Sequence, residues 1–191
     1  MKNTSIMIVG VGGQGTLLAS RLIGHVLIEK GYDVKLSEVH GMSQRGGSVV
    51  TYVKYGEKVY SPIVDPGEAD FILSFEAVEA ARWIGNLAPE GKVITNTHEI
   101  YPMPVISGLM AYPENVSEKI AADAEVISVN ALDLAEKAGS GKAVNTVLLG
   151  VMSKFMPEIE ESAWMEAIEK IVKPQFVELN KKAFLLGRAH Q

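Results

Sequence analysis

Six residues near the amino terminus have the types and spacing to hold an anion. In the stretch IMIVGVGGQGTLLASRLIG, Gly10, Gly12 and Gly15 satisfy the pattern G-x-G-x-x-G, and Gly13, Gln14 and Thr16 complete the turn. A short apolar run precedes the pattern and a helical periodicity follows it, the context that lifts such a match above chance. Glycine lets the backbone turn sharply and come close to a ligand. The free amides at a helix start, with the macrodipole behind them, favour a phosphate. Three chemistries share this turn. A dinucleotide site wants an acid at the end of the second strand, where Glu38 stands. An adenylating enzyme of the ubiquitin-activating type uses a Gly-x-Gly-Gly-x-Gly turn. The third reading is a turn kept for tight strand–helix packing, with no ligand.

A second polar segment, SEVHGMSQRGGSV at residues 37–49, begins where the second predicted strand ends. Ligands of open α/β sheets sit outside the carboxyl ends of strands. Glu38, His40, Ser43, Gln44 and Arg45 are therefore expected beside the glycine turn. Arg45 offers a planar fork for phosphate or carboxylate, and Gly46 and Gly47 leave room for a neighbouring chain or cofactor. The plainer alternative is that Arg45 pairs with Glu38 and pins the loop, and that His40 is structural. A long polar loop in that place argues for binding or an interface. His98 follows a later strand at the same sheet edge, but nothing in the sequence joins it to His40. His25 and His190 read as structural or solvated, and the four histidines lack metal-ligand spacing. No catalytic residue and no metal site is assigned.

These segments need elements to position them. Residues 5–9 read as a buried strand and 16–30 as a helix, with Leu18, Leu22 and Val26 stacked beside Ala19, Ile23 and Leu27. Gly31 ends that helix, and residues 33–39 alternate as a second strand. Residues 49–55 and 58–64 read as the two arms of a β-hairpin. Strands follow at 69–75, 92–96 and 125–129, and helices at 77–87, 116–124 and 131–138. Pro102, Pro104 and Pro113 prevent a long helix between them. Three amphipathic helices close the chain, and Trp164, Phe176 and Phe184 are expected to cover the sheet; the alternative is that part of this surface meets another subunit. The expectation is one α/β domain over residues 1–191: a Rossmann-like, mostly parallel sheet with an inserted β-hairpin and a helical C-terminal segment.

Bulk composition narrows the function classes. The 191 residues contain no cysteine, which removes disulfides, a cysteine nucleophile and thiolate-bound iron–sulfur clusters from this chain. A net charge of −5 gives no support for nucleic acid or an anionic membrane as partner. The first apolar run is too short for a signal peptide, and no stretch approaches the roughly 20 apolar residues of a membrane span. A cytoplasmic protein is expected.

The segments GVGGQG and EVHGMSQRGGSV, at this spacing, resemble the gamma subunit or gamma domain of the 2-oxoacid:ferredoxin oxidoreductases. The resemblance extends over SPIV at 61–64, ADFILSFEAVEAAR at 69–82 and the helical tail. Asn96, Thr97 and IYPMPVISG at 100–108 are most similar to the small subunit of the indolepyruvate branch. The resemblance implies a subunit of a heteromeric enzyme that decarboxylates a 2-oxoacid oxidatively with coenzyme A, yielding acyl-CoA, carbon dioxide and reduced ferredoxin. It implies that thiamine diphosphate, magnesium and the iron–sulfur clusters sit on partner subunits, with ferredoxin reached through the complex. This chain alone is expected to bind no cofactor, beyond a contact to a coenzyme A phosphate at residues 10–16. The loop at residues 38–45 is expected to pack toward the thiamine-bearing subunit. Against this stand a free-standing NAD(P)-dependent oxidoreductase and, less strongly, the adenylating enzyme.

Overall fold

The computed structural model describes residues 3–40 and 46–190. Six strands, β1 (Thr4–Val11), β2 (Asp33–His40), β3 (Ser48–Gly56), β4 (Ala69–Ser74), β5 (Leu87–Asn96) and β6 (Glu125–Val129), form one sheet in the order β2-β3-β1-β4-β5-β6. β1, β4, β5 and β6 run parallel, whereas β3 pairs antiparallel with both β1 and β2.

The sheet is mostly parallel with an inserted hairpin, as expected, but the arms of that hairpin are β2 and β3. Residues 58–64 form no strand. The reason is topological: both edges of β3 are taken, by β1 and β2, so no ladder remains for the segment that follows. That segment is tied down by side chains instead. Asp33 accepts from the Val59 amide at 3.0 Å, Lys54 Nζ donates to the Ile63 carbonyl at 3.0 Å, and Val64 is buried.

Helix α1 (Thr16–Glu29) buries Leu22, Ile23, Val26 and Leu27 against the sheet. It ends as the sequence requires. Gly31 adopts φ +87°, its amide donates to the Ile28 carbonyl and the Tyr32 amide to that of Leu27, which together close the last turn. Helices α2 (Ala77–Trp83), α3 (Met103–Ile106), α4 (Val116–Ala121), α5 (Ala131–Ala138), α6 (Val144–Ser153), α7 (Glu161–Ile171) and α8 (Val177–Arg188) follow.

Strand alternation sorts two cores onto opposite faces of the sheet. Ile6, Ile8, Leu73 and Ile94 pack with α1 and α5 through α8, while Met7, Val9, Ile72 and Val93 pack with α2 and α4. Trp164 and Phe184 are buried in the first core with ring centroids 5.7 Å apart. Phe176 departs from the expectation: it precedes α8 in a short turn and is 47% exposed, so it is not part of the core that covers the sheet. The proline-bearing segment forms only the four-residue α3. Among the described residues no helix is long and apolar enough to cross a membrane.

Candidate functional site

The glycine turn opens at the carboxyl edge of the sheet, and its six residues divide the work. Gly10 and Gly15 are small because the fold leaves no room: a Cβ on Gly10 would lie 2.7 Å from Gln14 Oε1, and one on Gly15 2.6 Å from Asn145 Nδ2. Gln14 ties the turn shut. Its Oε1 accepts from the Val11 amide at 2.6 Å and its Nε2 donates to the Phe75 carbonyl at 3.0 Å, joining the end of β1 to the end of β4. Gly12 joins the two glycine segments, its amide donating to the Gly47 carbonyl at 2.8 Å and its carbonyl accepting from the Gly46 amide at 3.4 Å. Gly13 is different. It adopts φ +102°, and a Cβ there would meet nothing within 4 Å. Its surface is open.

The open side of the turn lines a cavity of about 380 Å³ with Thr16, Leu17, Glu38 and Val49. Thr16 is buried, and α1 starts on Gly15 with no side-chain cap and no acid in its first turn. The first amides of that turn, ahead of Leu18, have no intrahelical acceptor, whereas the Leu18 amide donates to the Gly15 carbonyl at 3.1 Å. The arrangement suits an anion at the turn, and a hydroxyl or N–H donor at Glu38 on the opposite lip. Gly46 adopts φ +78° where the chain returns beside Gly12. His40 ends β2 opposite Val49. Ser43, Gln44 and Arg45 lie outside the described residues. His98 is exposed beyond β5. Three strands separate β5 from β2, so at about 4.8 Å per spacing His98 and His40 stand about 19 Å apart across the sheet.

Sequence reasoning missed Asn145. It sits on α6, 130 residues from the turn, and donates from Nδ2 to the Gly15 carbonyl at 3.2 Å. Its Oδ1 accepts from the Thr146 amide at 2.8 Å, and Thr146 Oγ1 donates to Asn180 Oδ1 at 2.6 Å on α8. The helical tail thus braces the turn through a buried polar chain. No local pattern in the sequence marks such a partner.

A second concavity, about 570 Å³, opens on the other face at the same edge, between α2 and the arm that contains α3. Its floor holds two buried carboxylates. Glu76 caps α2 by accepting from the Glu79 amide at 3.1 Å, and its other oxygen accepts from the Tyr112 hydroxyl. Burial pushes the Glu76 carboxyl above its usual range, against the pull of the Tyr112 hydrogen bond, and burial with the Glu76 contact pushes the Tyr112 phenol up. Glu79 accepts from Ser48 Oγ and from Arg82 Nε, the latter at 3.3 Å. These pairings hold the arm and the start of β3 to α2. A concavity of about 590 Å³ at the opposite, amino edge is lined by Thr4, Tyr55, Phe71 and Glu158, away from both glycine segments.

The comparisons give the site its setting. The family model for pyruvate ferredoxin/flavodoxin oxidoreductase matches residues 5–190. The indolepyruvate oxidoreductase subunit IorB of Thermococcus kodakarensis is 43% identical over 193 residues, covering 98% of this chain and 95% of that one. The ketoisovalerate oxidoreductase subunit VorA of Methanothermobacter marburgensis is 27% identical over 97% of this chain but only 36% of its own length. The fold is shared with part of the 2-oxoglutarate:ferredoxin oxidoreductase from Magnetococcus marinus, solved with 2-oxoglutarate, coenzyme A and succinyl-CoA. The match has TM-score 0.77 and 18% identity, over 99% of this chain and 31% of that one.

Proposed function

The chain belongs to the pyruvate ferredoxin/flavodoxin oxidoreductase family and is a subunit of a 2-oxoacid:ferredoxin oxidoreductase, and from that premise we propose that its enzyme takes indolepyruvate, with this chain presenting a phosphate site for coenzyme A. The observation that carries the substrate is the full-length match to IorB at 43% identity. The enzyme would couple decarboxylation to coenzyme A and ferredoxin. Thiamine diphosphate, magnesium and the iron–sulfur clusters are proposed to sit on companion subunits. A chain without cysteine supplies no thiolate to the usual clusters, so electrons leave through a neighbour. Thiamine diphosphate supplies the carbanion chemistry when bound.

This chain's own share is binding and orientation. The open surface at Gly13 and the first-turn amides of α1 fit a phosphate oxygen, and Glu38 fits a ligand hydroxyl. The register of the sheet disfavours the dinucleotide reading. In a dinucleotide fold the acid ends the strand beside β1. Here β3 is wedged between β1 and β2, which moves Glu38's strand out to about 9.6 Å from β1, twice the usual spacing.

The test is the assembled complex, assayed for ferredoxin reduction with indolepyruvate, pyruvate, 2-oxoglutarate and branched 2-oxoacids. The largest kcat/KM is expected for indolepyruvate, and none for this chain alone. A larger value for pyruvate overturns the substrate; an undiminished rate without this chain overturns its place in the enzyme.

A further inference from the structure

The arm between β5 and α4 exposes large apolar side chains in a fixed geometry. Leu109 is 84% exposed and Met103 71%, and Tyr101, Ile106 and Met110 are also exposed. These residues are not on a loose loop. The Val105 amide donates to the Pro102 carbonyl at 2.9 Å, the Leu109 amide to the Pro104 carbonyl at 2.9 Å, and the Tyr101 and Tyr112 rings pack at a tilt of 48° with centroids 5.1 Å apart. Tyr112 then anchors the arm to buried Glu76. Contiguous exposed apolar surface of this kind, rimmed by polar groups, marks an interaction site, and the concavity beneath it, walled by Val78, Met103 and Ile106, has room for an inserted side chain.

We propose that this arm is the docking surface for the companion subunit of the same oxidoreductase, through an apolar patch ringed by lysine and arginine. The proposal rests on the subunit reading above. Charge selects the occupant. Residues 97–118 carry Glu99, Glu114 and Glu118 and no lysine or arginine; Lys119 follows Glu118, and Arg82 on the wall of the concavity is paired with buried Glu79 at 3.3 Å, which leaves the rim net acidic. A second copy meeting this face about a two-fold axis would set acidic rim against acidic rim, and an anionic bilayer would be repelled. A basic-rimmed protein surface complements it. The same unit forms 36% of the longer VorA chain, so a relative of this domain has a neighbour as part of its own polypeptide.

The experiment captures the companion subunits of the native complex on the tagged full-length chain. Leu109→Asp with Met103→Asp is expected to lower capture by about tenfold or more while leaving the thermal unfolding of the free chain unchanged, since both side chains are exposed. Tyr60→Asp, at a residue exposed elsewhere, is expected to leave capture unchanged. Glu99→Lys with Glu114→Lys is expected to weaken capture, and wild-type capture to weaken as salt rises. Undiminished capture by both double variants overturns the docking surface while leaving the subunit reading intact. Failure of the wild-type chain to capture any companion overturns both. Self-association of the free wild-type chain that Leu109→Asp abolishes, or wild-type binding to anionic vesicles through the arm, assigns the face to another occupant and overturns the proposal.

Discussion

At the scale of single residues, Gly13 and Gly31 make a controlled pair. Both adopt left-handed φ, +102° and +87°, and a Cβ on either meets nothing within 4 Å. Alanine at each position therefore carries the same strain, roughly 1–2 kcal/mol. Only Gly13 faces the cavity at the glycine turn. Gly13→Ala is expected to raise the KM for coenzyme A in the assembled enzyme, whereas Gly31→Ala is expected to lower only the unfolding temperature; equal KM values remove the turn from coenzyme recognition. Glu76 carries a pH prediction. Its folded pKa lies above the ordinary 4.5, first because of burial, so the folded state holds a proton that the unfolded state has released. Stability from this group is complete below pH 4.5 and is lost as pH rises through the folded value. Glu76→Gln is expected to flatten that part of the unfolding-temperature profile; coincident slopes would exclude it. The glycines were legible in the sequence because their types and spacing are local. Why each is a glycine was only partly so: Gly10 answers to nearby Gln14 but also to Phe75, and Gly15 answers to Asn145, both far along the chain.

At the scale of elements, α6 and α8 cross at contact distance. A Cβ on Gly150 would lie 2.1 Å from the Phe184 carbonyl oxygen, and one on Gly187 2.0 Å from that of Val147. Helix propensity alone favours alanine over glycine by about 1 kcal/mol. Overpacking opposes it by about 1–3 kcal/mol, and here the obstacle is backbone, which cannot rotate aside. Gly150→Ala and Gly187→Ala are each expected to lower the unfolding temperature, and the double variant by less than the sum, because either change already separates the helices. A rise in either single variant would mean the crossing is looser than the geometry. Periodicity made α5 and β6 readable to the residue, since their patterns are self-contained. β-rich composition and the short Gly56-Glu57 break placed a hairpin arm at residues 58–64, but composition does not report which strand pairs with which. Pairing is decided by β2, which claims the far edge of β3.

At the scale of the whole molecule, Thr4 and His190, near either end of the described residues, lie at the opposite rim of the sheet from the site. β1 starts at Thr4, beside Phe71 and Phe155 in the amino-edge concavity, and Lys154, next to Phe155, holds the His190 carbonyl. The glycine turn, Glu38 and the apolar arm all open at the carboxyl edge. That separation was not legible in the sequence, which locates residues along a line and not around a sheet. Its consequence concerns covalent attachment. A linker, an affinity handle or an adjoining domain that departs beyond Thr4 or His190 leaves from the back of the molecule, and the front stays free to be covered by something else.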